Sequence, residues 1–216
     1  MRRFIDLTHP LEQGQPSFPG DAEMTIAPFA TIASHRCNTT RFTMGSHQGT
    51  HLDAPFHFFE DGATVDQIDL ERLCGPARLL DLAPGGALEP GARLTPESFE
   101  QHAELFQPGA RVLYRTGWDQ RFGGAEFFEG YPALTPEAAR WIASRGIALL
   151  GMDTPSPSDD WLPVHQALLG PGAGIVIVES LANLHRLPAQ FTFIGFPLKL
   201  KGRDGSPIRA VAALED

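Results

Sequence analysis

The sequence predicts a mixed α/β fold in a single domain over residues 1–216, with a strand-rich N-terminal part. Three observations carry this. Short runs of β-branched and aromatic residues fill the first third, while the triplets that open helices come later. No internal repeat, low-complexity tract or long linker divides the chain. The 22 glycines and 19 prolines are spread along its whole length, which indicates many short elements joined by tight turns.

The elements follow in order. Met24–Ile32 and Arg41–Met44 read as strands, the first an edge or bulged strand because Pro28 has no N–H to give a ladder. Ala77–Leu82 and Val112–Arg115 are further strand runs. Thr95-Pro96-Glu97 and Thr135-Pro136-Glu137 each place a hydroxyl N-cap, a proline at the first helical position and an acid in the first turn, so each opens a helix. The second helix is expected to run to about Ser144 and stop at Gly146, ahead of a buried strand at Ile147–Leu150. Ile175–Val178 and Phe191–Leu200 complete the strands. Helices interleaved with strands behind a strand-first third give a mixed sheet and not a pure doubly wound one.

Composition narrows the function. With 216 residues, 42% apolar and 20% charged, and a mean hydropathy of −0.14, this is the make-up of an ordinary soluble globular protein. A formal charge of −9, from 17 Lys and Arg against 26 Asp and Glu, lacks the basic footprint needed for nucleic acid or an anionic membrane surface, and is compatible with a small-molecule substrate as the partner. Cys37 and Cys74 cannot build a disulfide framework, so a reducing, cytoplasmic compartment is expected. The N-terminal stretch meets Asp6, His9 and Pro10 before an apolar core of leader length can form, and no apolar run approaches the roughly 18 residues of a membrane span.

The chemistry concentrates in Ser46–Phe58, which holds His47, His51, Asp53 and His57 among the eight histidines of the chain. Imidazoles with a carboxylate suit zinc and neighbouring first-row metals. Gly49, Thr50 and Pro55 argue against a helix, and an extended chain puts His47, Gly49, His51, Asp53 and His57 on one face, with Leu52, Ala54, Phe56 and Phe58 on the other. In a straight strand His47 and His51 would lie about 13 Å apart, too far to share an ion, so a bend is expected at Gly49. Asp53 has two oxygens with which to bridge two metals, and His57 is expected to face the same cavity. Further ligands are available in the second half: His165 within Leu162–Leu169, and either Glu179 or Asp153, each ending an apolar strand. Spacing alone does not choose between those two acids.

The run His47-x-Gly49-Thr50-His51-x-Asp53-x-Pro55-x-His57 resembles the signature of the cyclase family of metal-dependent hydrolases, which includes bacterial kynurenine formamidase and isatin hydrolase. Phe4–Thr8, Pro16–Asp21, Arg115–Trp118, Gly151–Ser156, Val178–Asn183 and Asp204–Arg209 are also similar to family segments. The resemblance implies a swivelling β/β/α domain assembled as a homodimer or larger homo-oligomer. It implies two divalent ions per subunit, zinc first and manganese as the alternative. His47, His51 and Asp53 would hold the first ion and His165 the second, with Asp53 and Glu179 bridging. It further implies His57 as catalytic acid/base and Phe18 against the substrate ring, at a position where kynurenine formamidases typically carry tryptophan. Phe58 and Trp161 are candidates for the same apolar wall, with ordinary packing as the alternative for these two. The implied reaction is hydrolysis of a small amide or formamide by metal-activated water, as in an arylformamidase. The alternatives are isatin-type lactam opening and a non-catalytic metal-binding module. No G-x-S-x-G elbow supports a serine hydrolase.

Overall fold

The computed structural model describes residues 3–214. In chain order its strands are β1 (Arg3–Asp6), β2 (Thr25–Ala30), β3 (Thr39–Thr43), β4 (His51–Asp53), β5 (Cys74–Asp81), β6 (Arg93–Leu94), β7 (Arg111–Arg115), β8 (Ala133–Leu134), β9 (Leu149–Met152), β10 (Val176–Glu179), β11 (Gln190–Ile194), β12 (Gly205–Pro207) and β13 (Val211–Leu214). The α-helices are α1 (Ile32–His35), α2 (Leu70–Leu73), α3 (Glu97–Glu100), α4 (Pro136–Ser144) and α5 (Trp161–Leu169). None of these helices is long and apolar enough to cross a membrane.

Nine strands make one sheet in the order β1-β13-β11-β5-β7-β9-β10-β4-β12. Its centre, β5-β7-β9-β10, is parallel, and both flanks are antiparallel, which is the mixed arrangement the sequence predicts. β2 and β3 form a separate antiparallel ribbon whose register shifts between Pro28 and Ala30, the irregularity expected from the proline. At α4 the Thr135 hydroxyl accepts from the Ala138 N–H at 3.2 Å, and Gly146 follows the helix at φ +68°. This is the predicted cap and stop.

Three boundaries differ from expectation. The helix opened by Thr95-Pro96-Glu97 is a single turn, because the chain bends after Gln101 to bury Phe106 beside Phe99, with ring centroids 5.8 Å apart. The strand expected at Ile147–Leu150 lies two residues later, since the Gly146 carbonyl is used to accept from Gly109 N in the return from α4. The strand expected over Phe191–Leu200 ends at Ile194. A Cβ at Gly195 would stand 2.6 Å from the Phe193 ring, and Pro197 has no N–H for a ladder.

Strand alternation sends the sheet's apolar side chains into two core clusters, and Trp118, Phe127 and Tyr131 form a third, smaller one. Leu52, Leu113, Leu149, Val176 and Val178 point to one face with Ile5, Phe193 and Ala212. Val112, Tyr114, Leu150, Met152 and Ile177 point to the other, where Ala138 and Ile142 of α4 and Val164 and Leu168 of α5 cover them. With Leu52 and Val178 on the first face, the same period of two sends His51, Asp53 and Glu179 to the helix-covered face, at the carboxyl end of β10. Ligand sites of open α/β sheets sit at such strand ends.

Candidate metal centre

The register of one strand pair assembles the site. β4 lies antiparallel between β10 and β12, with His51 opposite Glu179 and Asp53 opposite Gly205. Residues directly opposite share a face, so two side chains 128 positions apart in the chain become neighbours. His51 Nε2 stands 3.2 Å from Glu179 Oε2 and 3.4 Å from Asp53 Oδ1. From α5, His165 Nε2 approaches to 3.4 Å from Glu179 Oε1 and 3.7 Å from Asp53 Oδ2. Pro163 is tolerated in the first turn of this helix, where its missing N–H breaks no bond.

The predicted bend is present. Gly49 has φ +63°, and His47 folds back so that its Nδ1 donates to Asp53 Oδ1 at 2.7 Å, with its ring centroid 5.1 Å from that of His51. The long extended segment is not present: only His51–Asp53 is a strand, and Pro55–His57 is a 3-10 turn. That turn breaks the alternation, so Phe58 faces the cavity and stacks on the His165 ring at 4.6 Å, instead of entering the core with Leu52 and Ala54. His57 stacks on His47 at 3.9 Å and is half-buried.

Second contacts fix the tautomers. Nδ1–H of His51 donates to Gly49 O at 2.8 Å, and Nδ1–H of His165 donates to Trp161 O at 2.8 Å, so both Nε2 atoms point at the carboxylates. Metal-bound histidines show this pattern. His51 Nε2 and Asp53 Oδ2 are buried without a hydrogen-bond partner, a costly state for polar atoms unless something else binds them. His51, Asp53 and Glu179 offer ligand atoms within 4.8 Å of one another, and so do His47, Asp53 and His57. The donor set therefore fits a divalent cation.

The electrostatics agree. Burial alone would push the His47 imidazole down, but Asp53 and Asp204 on either side raise it to about 11. Burial of His51 is likewise outweighed by Asp53 and Glu179, which raise it to about 9. Burial disfavours an ionised Asp53, yet His47 and His51 hold it well below the usual carboxylate range. These carboxylates draw positive charge inward, and a divalent cation competes with protons for the same atoms. Burial lowers His57, despite the opposing pull of Asp53, and keeps that ring neutral.

The choice between Asp153 and Glu179 falls to Glu179. Asp153 is fully buried away from the cluster, accepting from Thr116 N, Thr116 Oγ1 and Gly117 N, where it ties the end of β7 to that of β9. Asp204 has no role in the sequence reading, although it opens the Asp204–Arg209 segment. It accepts from His47 Nε2 at 2.7 Å and from Ser46 Oγ at 2.9 Å.

Above the cluster opens a cavity of about 360 Å³. One wall is Phe58 and Trp161, and the other is Phe18, Phe122 and Phe128. Phe18 meets Phe128 edge-to-face at 5.8 Å, so the predicted substrate-side residue is held by the 3-10 segment Ala125–Phe128.

His9, which has no role in the sequence reading, backs this wall by stacking on Phe122 at 3.8 Å. Burial lowers its imidazole to about 4, against the pull of Asp119. Between pH 6.5 and 4 the unfolded chain thus binds a proton that the native chain does not, and stability present above pH 6.5 is lost as pH falls through that window. The contribution is about 1–3 kcal/mol. His9→Phe keeps the stack without the titrating group. Urea unfolding at pH 7 and pH 4.5 should show a smaller difference for this variant than for the parent chain, and equal differences would refute the assignment.

The family model described as "Putative cyclase" matches residues 5–159. The chain is 36% identical over 212 residues to kynurenine formamidase of Bacillus cereus, covering 96% of each. Isatin hydrolase A from Labrenzia aggregata, solved with benzyl benzoate, superposes with a TM-score of 0.87 at 32% identity, covering 100% of this chain and 94% of that one. A solved structure described as a potential metal-dependent hydrolase with cyclase activity gives a TM-score of 0.81 at 28% identity, covering 100% of each.

Proposed function

The chain belongs to the cyclase family, and from that premise we propose that it is a metal-dependent hydrolase of a small aryl formamide or related amide. The observation that carries the reading is the convergence of three imidazoles and two carboxylates, two of their atoms buried and unpartnered, at the floor of an aromatic-walled cavity. His47, His51, Asp53, His165 and Glu179 would hold the metal, two ions being the number we propose. Nitrogen and oxygen donors without thiolate accept zinc or manganese, and zinc is our first choice. When bound, such ions polarise a carbonyl and lower the pKa of water toward neutrality.

The remaining work falls to the protein. Phe18, Phe58 and Trp161 bind and orient a flat ring and exclude water from its faces. The neutral His57 ring nitrogen accepts a proton and returns it to the leaving nitrogen, a task suited to an imidazole. Lactam opening has its own support in the whole-chain match to isatin hydrolase A. A non-catalytic module is not favoured, because the similarity to hydrolases spans the site and both walls. The test is hydrolysis of N-formylkynurenine and of isatin by zinc- or manganese-loaded protein: turnover of either supports amide hydrolysis, and its rate ratio selects the substrate. Inertness toward both at full metal occupancy sinks the proposal.

A further inference from the structure

We propose that Asp204 is a positioning residue that sets the orientation of His47 as a metal ligand. The inference rests on the metal-binding reading of the site. His47 Nδ1 faces the cluster through Asp53 Oδ1 at 2.7 Å, while its opposite nitrogen, Nε2, donates to Asp204 Oδ2 at the same distance. Asp204 is in turn held on three sides. Its carbonyl accepts from Ala54 N at 2.8 Å, Ser46 Oγ donates to Oδ2 at 2.9 Å, and the next residue enters β12 opposite Asp53. Gly205 completes the fit. A Cβ there would lie 2.8 Å from His47 Cε1 and 2.8 Å from Leu52 O, so the backbone after Asp204 closes directly onto the imidazole.

The loop that ends at β12 therefore supplies both a wall and an acceptor for one ring, and leaves that ring a single orientation. The same Oδ2 lies 3.8 Å from His57 Nδ1, too far for a hydrogen bond. His57 instead takes its place by stacking on the fixed His47 ring. Carboxylates behind metal-bound imidazoles hold the ring and raise its basicity as a ligand, and their loss typically costs about 10–100-fold in metal affinity or activity.

The test measures Zn²⁺ affinity by chelator competition, and the visible spectrum of Co²⁺-loaded protein, in the full chain. Asp204→Ala should weaken Zn²⁺ binding about 10–100-fold and alter the Co²⁺ spectrum. Asp204→Asn, which keeps an acceptor for Nε2–H without the charge, should fall between Ala and the parent chain, and it carries the test if the alanine variant does not fold. Parent-like affinity and spectrum in the folded variants, with only thermal stability reduced, would show a merely structural role and overturn the inference. If the parent chain itself takes up no stoichiometric Zn²⁺ or Co²⁺, the functional reading fails with it. Binding by the parent and both variants alike overturns the Asp204 inference alone.

Discussion

Asp53→Asn should strip the chain of its metals and lower turnover by about 10²–10³-fold, the scale of losing one essential electrostatic group. Asp53 touches all three imidazoles of the cluster: Oδ1 faces His47 at 2.7 Å and His51 at 3.4 Å, and Oδ2 faces His165 at 3.7 Å. Among the described residues, no other carboxylate pairs with all three. The amide is close in size to the carboxylate, so the strand pairing of β4 with β10 and β12 has no steric reason to change. The histidines can shed their protons when the charge is gone, which limits the cost of leaving them without a counter-ion. Metal content after dialysis, read together with kcat and a circular dichroism spectrum, checks this. A folded variant with full metal content would remove Asp53 from the centre of the account.

His57→Gln should show the opposite pattern, with metals retained and kcat reduced by about 10²–10⁴-fold, the usual scale of general acid–base catalysis. The ring is positioned without strong hydrogen bonds, by the face of His47 at 3.9 Å and the edge of Phe58 at 4.6 Å. Burial keeps it neutral and ready to accept a proton. The same geometry admits His57 to a ligand group with His47 and Asp53, so the measurement separates two roles. Loss of one equivalent of metal on substitution would make His57 a ligand and assign the proton transfer elsewhere. Near-normal kcat with metals bound would leave it neither role.

The sequence reading succeeded where the cause is local. Thr135 and Gly146 bound α4 because hydroxyl caps and left-handed glycines act within one turn. Pro28 disturbs β2, and Gly49 bends the histidine segment, for equally local reasons. It ran out where partners are distant. Glu179 and Asp153 both end apolar parallel strands, and only the placement of β4 beside β10, with β9 one strand further in, brings Glu179 to His51. Asp204 reaches His47 from 157 positions away through the docking of β12, which no spacing rule encodes. Phe58 lines the cavity with Phe18 and Trp161, as a wall for an aromatic ring requires, but strict alternation from Leu52 puts it on the opposite face, because alternation does not survive Pro55, where the chain turns. The two aromatic walls come from segments on either side of position 100, and Phe122 and Phe128 carry no motif that marks them.

The central claim is that the convergent His, Asp and Glu cluster holds divalent metal on which amide hydrolysis depends. Its most direct test strips the protein with chelator, adds back zinc or manganese in measured steps, and follows bound metal and hydrolysis of N-formylkynurenine and isatin in the same samples. The account predicts a silent stripped chain whose turnover returns with bound metal and saturates at two ions per chain. Full turnover in the metal-free chain, or none at saturation, would contradict it.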